Sequence, residues 1–352
     1  MTKKTFAVLV ALLTFIVGVA LARFTLPKLR SPSPVAGNKD LQLSNYRLSG
    51  PYQHENLTIF LVHGPNQPNR PMFTPLQEAM ERNIVIVHET SDVNELSIEN
   101  VSASEEVFVQ AGDIVKGGRQ DRILAVDLIL PAKSGEIPIA AFCVEHSRWS
   151  QRGAEPAANF SLTETAPTRA LKLATRQELD QTQVWDKVGE VQQKLSESVN
   201  ADVRGFASTT SLPLALENEK VQESAAAYID KLSSIVGGST DVIGFVFAIN
   251  NNLNSADVYG SSAMFKRFWP RLLKSAAIEA VAERLSSVTK EPVSIAAAGE
   301  FLVGSERGKE TYQEVTARTH MSKRDAEKSV FFQTRDMAHE GHWIHRSYLM
   351  KC

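Results

Sequence analysis

Apolar residues alternate with polar ones through much of the first half of the chain, a period of two that predicts β-strands. The expected strands cover 57–63, 84–88, 95–101, 107–110, 123–130 and 137–145, with polar turns between them as hairpins require. Thr74 and Gln77 have the spacing of a capping box, with Pro75 at the first helical position, so we expect a short helix over 75–82. This half of the chain is predicted to be β-rich.

After about residue 170 the apolar period lengthens to 3.6 residues, which predicts helices. One apolar stripe comprises Val184, Val188, Val191 and Leu195, and a second runs from Val221 to Ile235 before Gly237 and Gly238 stop the helix. A third helix is expected around Phe265 to Leu285, where Pro270 either kinks it or marks its first turn, and a fourth from the cap Ser294 to Gly304.

Strand patterns are interspersed with these helices and return after them. The uninterrupted apolar run 242–249 predicts a strand buried on both faces, and the segments 329–332 and 343–349 predict further strands near the end of the chain. The fold class is therefore predicted to be α+β, with a β-rich N-terminal half, central helices and strands returning at the C-terminus.

The first 22 residues have the pattern of an export signal. Lys3 and Lys4 precede the apolar run 6–19, and Ala20-Leu21-Ala22 places small residues where a signal peptidase reads them. An uncleaved membrane anchor over 6–22 is the alternative, because this stretch is just long enough to span a bilayer. Both interpretations predict an exported protein, periplasmic or extracellular, which contacts the membrane through this segment if it is not cleaved.

The domain organisation follows from a change in composition. Residues 23–45 are rich in proline and serine and lack an apolar period, so we expect a linker there. A single large α+β domain is predicted over 46–351, with a β-rich part at 46–165 and a helical and α+β part at 166–351.

Composition and charge exclude several classes of protein. The 352 residues include 38 Lys and Arg against 40 Asp and Glu, and the formal charge of −2 does not suggest a nucleic-acid partner. Two cysteines, Cys143 and Cys352, are too few for a disulfide scaffold or a cysteine-rich zinc module. Neither a P-loop nor a Rossmann glycine motif occurs, so no cofactor is predicted.

The segment 107–122, VFVQAGDIVKGGRQDR, carries the richest chemistry. Gly117 and Gly118 free the backbone for a close approach, and Gln120 and Arg122 offer an amide and a planar fork of donors to a phosphate or carboxylate. These four residues are predicted to bind a small anionic ligand. The alternative is a hairpin with a Gly-Gly turn, in which Arg119 and Arg122 pair on the surface with Asp113 and Asp121.

The segment 143–149, CVEHSRW, carries a second set of candidates. Glu145 is a candidate catalytic acid or base, and Arg148 with Trp149 would clamp a charged or planar group. His146 follows Glu145 in a strand pattern, so the two side chains are expected to point to opposite faces. Cys143 lies among apolar neighbours and is predicted to be a small buried hydrophobe.

Three histidines near the C-terminus, His339, His342 and His345, raise the question of a metal site. The HExxH zinc motif needs two histidines four residues apart on a helix, whereas these are three apart in a strand pattern. We therefore predict no metal and expect partly exposed histidines on a terminal strand. Trp185, next to the apolar stripe of its helix, is predicted to be a core residue.

Four segments in order, VFVQAGDIVKGGRQDR, CVEHSRW, QTQVWDKV and IGFVFAI, resemble the family of ARG and Rhodanese-Phosphatase-superfamily-associated proteins over about 46–350. The matching positions are Gly112, Gly117, Gly118, Gln120, Arg122, Glu145, Arg148, Trp149 and Trp185. This family is named after its neighbours, ADP-ribosylglycohydrolases and phosphatase-superfamily proteins. The resemblance implies a role close to ADP-ribose or nucleotide-derived ligands.

Together these features predict an exported ligand-binding or hydrolase-like protein for a nucleotide-derived or ADP-ribose-like anionic ligand, with a site that joins 117–122 to 145–149. The alternative is a non-catalytic envelope interaction or structural module in which the same residues form ion pairs. A concave pocket holding Gln120, Arg122 and Glu145 would favour the ligand site. An Arg122 side chain fully paired with carboxylates would favour the alternative.

Overall fold

The computed structural model describes residues 41–43, 45–65, 72–90, 92–146, 148, 150, 152, 160–284 and 291–351. The predicted export segment 1–22, the linker up to residue 40, and Trp149 lie outside the described residues. No helix within these ranges has the length and apolar character needed to cross a bilayer.

The strands, in chain order, are β1 Leu41–Gln42, β2 Arg47–His54, β3 Leu57–His63, β4 Thr74–Pro75, β5 Val85–Glu89, β6 Glu95–Asn100, β7 Val107–Val109, β8 Ile114–Gly117, β9 Arg122–Leu124, β10 Leu128–Leu130, β11 Glu136–Cys143, β12 Phe160–Leu162, β13 Val242–Ile249, β14 Asn252–Tyr259, β15 Lys309–Glu314, β16 Thr319–Asp325, β17 Ser329–Asp336 and β18 His342–Met350. The helices are α1 Leu76–Glu81, α2 Arg169–Leu173, α3 Gln181–Ser198, α4 Leu212–Leu216, α5 Glu219–Leu232, α6 Ser262–Ala282 and α7 Ile295–Ser305. A π-helical turn at Ala174–Glu178 continues α2, and short 3-10 turns lie at Ser233–Val236 and Met337–His339. Strands thus dominate both ends of the described chain and helices its centre, which confirms the predicted α+β class.

A nine-stranded sheet, in the order β1-β2-β3-β13-β14-β18-β17-β16-β15, joins the two ends of the chain. Neighbouring strands run antiparallel, and β13 lies between β3 and β14. The sheet therefore places residues near position 50 beside residues near positions 240 and 345. This juxtaposition is the basis of the cavity described below.

The centre of this sheet is covered on both faces. On one face, Phe245 of β13 contacts Phe265 and Trp269 of α6, with ring centroids 6.3 and 5.5 Å apart. On the other face, Phe60 and Val246 share a core cluster with residues of α7. A strand covered on both sides has no polar face, so the uninterrupted apolar run of β13 is explained.

The β-rich N-terminal part forms two smaller sheets. The strand order is β12-β8-β9-β11-β6-β5 in the six-stranded sheet and β10-β7-β4 in the three-stranded sheet. The predicted strand 123–130 is divided into β9 and β10, because Asp127 turns into the core, where its carboxylate accepts a hydrogen bond from the backbone N–H of Ala111 at 2.7 Å. A buried carboxylate needs such partners, so the chain leaves the ladder there.

Two helices begin differently from the sequence prediction. The helix at α1 exists, but Thr74 does not cap it; Pro75 occupies the cap position, and the Thr74 hydroxyl donates to Glu105 at 3.0 Å instead. Pro270 lies in the interior of α6, so the interpretation that it marks the first turn is wrong. That helix begins after Ser261, whose side chain accepts from the Met264 N–H at 3.2 Å.

Candidate functional site

The glycine-rich segment forms a tight hairpin between β8 and β9. Gly117 and Gly118 have φ angles of 128° and 52°, conformations that glycine adopts most readily. Gln120 and Arg122 follow at 0% and 2% exposure, whereas Arg119 is exposed. The segment therefore forms the hairpin of the alternative prediction. The surface ion pairs of that alternative are wrong, because Arg122 and both aspartates are buried.

The partners of the two aspartates show why. Asp113 pairs with Arg271 of α6, and Asp121 pairs with Arg152, and both pairs are buried. Asp121 accepts two hydrogen bonds from the Arg152 guanidinium, at 2.8 and 3.2 Å, and one from the Ser211 hydroxyl at 2.6 Å. The sequence around Arg152 does not predict this role, because nothing local distinguishes it from an exposed arginine.

Arg148 and Glu145 form the second half of this buried ion network. The Arg148 guanidinium forms a bidentate ion pair with the Glu145 carboxylate, with Nε 2.7 Å from Oε1 and Nη2 2.7 Å from Oε2. It also donates to the backbone carbonyls of Gly118 at 2.9 Å, Gly117 at 3.1 Å and Ser150 at 2.6 Å. Arg148 thus fastens the glycine turn to the segment that follows β11.

The protonation state of Glu145 follows from these contacts. Burial alone would raise the pKa of the Glu145 carboxyl, but the hydrogen bonds from Arg148 and from the Asp121 N–H outweigh it and hold that pKa below its ordinary value. A carboxylate kept ionised in this way is suited to an ion pair. A general acid needs the opposite shift.

Gln120 and Arg122 have spare hydrogen-bonding capacity. Arg122 Nη1 donates to Gln120 Oε1 at 3.1 Å, and the nearest carboxylate, Glu89, lies 3.8 Å from Nη2. Within the described part of the chain, Arg122 Nε and Gln120 Nε2 are buried donors without a hydrogen-bond partner. The predicted site residues therefore fall into two pairs. Arg148 and Glu145 satisfy each other's hydrogen-bonding groups, whereas Gln120 and Arg122 each keep a donor without a partner among the described residues.

Residues near these two segments give mixed outcomes. Cys143 is a buried free thiol, as predicted, and burial raises its pKa. His146 is exposed while Glu145 is buried, so their side chains do point apart. Trp185 is only half-buried, contrary to the core prediction; its indole packs edge to face on His146, itself an exposed side chain, with ring centroids 4.5 Å apart.

His345 contradicts the expectation of exposed C-terminal histidines, since it is fully buried. Its Nδ1 lies 2.8 Å from Asp127 Oδ2 and its Nε2 lies 3.1 Å from Asp257 Oδ1. The expectation failed because β18 is an interior strand of the sheet, between β14 and β17. His339 and His342 are partly exposed, as expected.

In the described ranges, no three His, Cys, Asp or Glu side chains are grouped to hold a metal ion.

A cavity of about 560 Å³ opens at the end of the nine-stranded sheet where β2, β13 and β18 begin and β3 ends. Its described lining consists of Gln42, Asn45, Tyr46, Arg47, His63, Gly64, Pro65, Asp241, Ile243, Gly260, Trp343 and Arg346. None of these residues was selected from the sequence. They come from five separate stretches of the chain, and only the strand pairing brings them together.

The charged and aromatic groups of this cavity are held in defined positions. Arg47 Nη2 donates to Asp241 Oδ2 at 3.0 Å. Arg346 donates to the Tyr46 hydroxyl at 2.5 Å, and its guanidinium lies 4.4 Å above the centre of the Trp343 ring. The described lining carries two arginines and one aspartate, and Arg346 also lies 3.7 Å from Glu306 Oε1, which is not part of that lining. Such a wall suits an anionic ligand with a planar part.

The fold and the cavity together define an α+β protein with a polar cleft of small-molecule size that carries two arginines. The chain belongs to the ARG and Rhodanese-Phosphatase-superfamily-associated Protein domain family, whose model matches residues 45–349. Neither a curated protein nor a solved structure matches the chain.

Proposed function

We propose that this chain is a ligand-binding protein for a small, nucleotide-derived or ADP-ribose-like anion, and that the ligand occupies the cavity at the end of the nine-stranded sheet. The observation that carries the proposal is the placement of Arg47 and Arg346 on the wall of a concave site beside the Trp343 ring. Arginine forks bind phosphate oxygens, and an aromatic face accepts a planar base.

The size and the wall of the cavity support this ligand class. A volume of about 560 Å³ lies within the range of small-molecule pockets, roughly 300–1,000 Å³. Gln42 and Asn45 add amide groups that could bind ribose hydroxyls. The family name, which links the chain to ADP-ribosylglycohydrolases by association, points to the same chemistry.

The predicted site at 117–148 supports a different role for its arginine and glutamate. The Arg148 guanidinium is occupied by Glu145 and by three carbonyls, and a saturated fork cannot also bind a ligand without losing these bonds. This observation favours the structural alternative for Arg148 and Glu145. Gln120 and Arg122 keep two unsatisfied donors and remain a second candidate anion site.

The proposal is tested by thermal shift with ADP-ribose, free nucleotides and sugar phosphates. Ligand at a hundred times its Kd should stabilise the protein by about 2.7 kcal/mol. Arg47→Ala should weaken binding at least about tenfold, because a charge-assisted bond to the anion is lost. Arg204→Ala is the matched control, since Arg204 pairs with Asp202 as Arg47 does with Asp241, but outside the cavity.

Two results would contradict the cavity proposal. One is a wild-type protein whose melting temperature no compound of this set raises. The other is equal binding by the Arg47→Ala and Arg204→Ala proteins, which would place the ligand elsewhere. Loss of binding in Arg122→Ala alone would move the site to the Gln120 and Arg122 pair.

We also propose that the protein is exported, on the pattern of Lys3, Lys4 and the apolar run that follows them. N-terminal sequencing of protein recovered from cells separates the alternatives. A first residue Arg23 supports cleavage after Ala22, and Met1 on a membrane-bound form supports the anchor. Met1 on a form that stays in the cytosolic fraction contradicts export.

A further inference from the structure

Ser49, His63 and Asp241 form a continuous hydrogen-bonded chain at the edge of the cavity. Ser49 Oγ lies 2.7 Å from His63 Nε2, and His63 Nδ1 lies 2.9 Å from Asp241 Oδ1. His63 is nearly buried, whereas Asp241 and Ser49 are partly exposed. A hydroxyl, an imidazole and a carboxylate in this order, on the two different ring nitrogens, are the parts of a serine nucleophile and its base.

The sheet register explains how three distant residues meet. Arg47 lies opposite His63 in the β2–β3 pair, so Ser49, two residues further along β2, shares a face with His63. The register shifts by one residue between Ser49 and Tyr52, a β-bulge that directly follows the serine. Bulges of this kind re-aim side chains and are enriched next to active sites.

Asp241 reaches His63 from the other neighbouring strand. It directly precedes β13, whose first residue, Val242, lies opposite His63, and the Gly64 N–H donates to the Asp241 carbonyl at 3.0 Å. The backbone on both sides of His63 is therefore fixed by strand pairing. Groups held on strands of a sheet keep their relative geometry better than groups on loops.

The position of the imidazole proton decides what this chain can do. Nδ1 lies within hydrogen-bond distance of two groups, Asp241 Oδ1 at 2.9 Å and Arg47 Nη2 at 2.9 Å. With the proton on Nδ1, His63 donates to Asp241 and its Nε2 lone pair accepts from the Ser49 hydroxyl. With the proton on Nε2, His63 donates to Ser49 and accepts from Arg47. The first tautomer is the one that activates a nucleophile.

We propose that Ser49 is a catalytic nucleophile, with His63 as its general base and Asp241 as the positioning residue, and that the chain hydrolyses carboxylic esters at this site. His63 and Asp241 line the cavity, whereas Ser49 is half-buried beside His63 and outside the described lining, so an ester carbonyl bound there has to reach past His63 to the Ser49 hydroxyl. Nothing in the proposed ligand binding requires this activity, and the nucleophile does not depend on the ligand proposed above.

The reaction balances with water as the sole co-reactant. Ser49 Oγ bonds to the ester carbonyl carbon while its proton passes to His63 Nε2. The tetrahedral adduct then collapses, the C–O bond to the alcohol breaks, and the alcohol leaves with that proton. Water next attacks the acyl-Ser49 ester, gives a proton to His63, and releases the acid as the Ser49 hydroxyl is restored.

The class of ester follows from the wall of the cavity. Arg47 and Arg346 lie on the described lining together with His63, so an ester with a phosphate or carboxylate in its acid or alcohol part should bind best. This substrate preference, unlike the nucleophile itself, rests on the proposed anion binding.

The experiment uses a fluorophosphonate probe on the full chain, followed by peptide mapping of the adduct. We expect covalent labelling at Ser49, and none at that position in Ser49→Ala. The His63→Gln protein should label at least about a hundredfold more slowly, because the general base is lost. Asp241→Asn should also label slowly and Asp241→Glu should recover part of the rate, since a carboxylate again orients the ring.

Ser161→Ala serves as the control, because Ser161 is an exposed strand serine whose hydroxyl contacts only the Lys116 carbonyl, at 3.5 Å, among the described residues. It should label like the wild type. Wild-type protein that melts normally but takes up no probe at Ser49, or labels elsewhere, overturns the proposal. The thermal-shift screen is independent of this result, so a Ser49→Ala protein that still binds the anion separates a failed nucleophile from a failed ligand site.

Discussion

His345 Nδ1 and Asp127 Oδ2 lie 2.8 Å apart in the protein core, and Asp257 holds the opposite nitrogen of the same ring. The imidazole therefore bridges two buried carboxylates that are distant in the chain, one between β9 and β10 and one on β14. Lys172 adds a second cation, 3.5 Å from Asp257. Because these groups are buried, the stability of the fold depends on whether His345 is protonated.

Stability should fall as the pH rises through the alkaline range. Burial alone would lower the pKa of His345, but the charge of Asp127 and the hydrogen bonds that the ring donates to both aspartates outweigh it and raise that pKa from 6.5 to about 9. A group whose folded pKa is raised stabilises the fold fully below its unfolded pKa, and this contribution is lost as pH rises through the folded pKa. We expect a loss of about 3 kcal/mol between about pH 6 and pH 10, measured by urea unfolding.

The His345→Gln variant is the control for this pH dependence. It lacks the titrating group, so its free energy of unfolding should be lower at neutral pH and should change much less across the same range. If the unfolding free energy of the wild-type protein does not change between pH 6 and pH 10, His345 is neutral in the folded protein and the prediction is wrong.

How far the sequence predicts this structure depends on the range of the interactions. Strand β13 follows from an uninterrupted apolar run and helix α3 from an apolar stripe, and both are local patterns that report which side chains are buried. The burial of His345 and the meeting of Ser49 with His63 depend on strand register between segments far apart in the chain, which no local period encodes. Strand β14 was missed for a related reason, since its polar NLNSADVY pattern is stabilised by its neighbours in the sheet.

Gly118→Ala should destabilise the protein by more than about 1 kcal/mol. A Cβ at this position would lie 2.3 Å from the Phe160 ring and 2.4 Å from Glu89 Oε1, in a backbone with φ of 52°. Gly135→Ala is the matched control, because Gly135 has φ of 62° but nothing within 4 Å of its Cβ position. The difference between their melting temperatures isolates the clash from the backbone strain, and equal losses would show that the turn has room.

Cys143 should remain a free thiol in the purified protein. Its side chain is buried beside the Val93 carbonyl, with Sγ to O of 3.9 Å, and burial raises the pKa of the thiol. We expect no bridge to Cys352, a residue outside the described ranges, and slow alkylation of Cys143 until the protein unfolds. Intact mass before and after reduction is the measurement, and a gain of two hydrogens on reduction would show an intramolecular bridge.

Arg148→Ala and Arg122→Ala should differ widely in their effects on stability. Removal of the Arg148 guanidinium leaves the buried Glu145 carboxylate without its bidentate partner and unfastens the carbonyls of Gly117 and Gly118. Breaking a buried ion pair from one side costs roughly 3–5 kcal/mol. Arg122, by contrast, has no carboxylate of the described residues closer than 3.8 Å, so its loss leaves a cavity but does not strip a carboxylate of a bidentate partner, and should cost less than the loss of Arg148.

The double variant Arg148→Ala with Glu145→Gln distinguishes a broken ion pair from a general loss of packing. If the cost of Arg148→Ala comes from the unpaired charge, the neutral amide should restore part of the stability, a coupling that a double-mutant cycle in urea measures directly. The expected order of unfolding free energies is wild type, Arg122→Ala, the double variant and then Arg148→Ala. An Arg148→Ala protein as stable as Arg122→Ala would mean that Arg148 is not needed to hold the hairpin, and its guanidinium would again be a candidate for binding an anion.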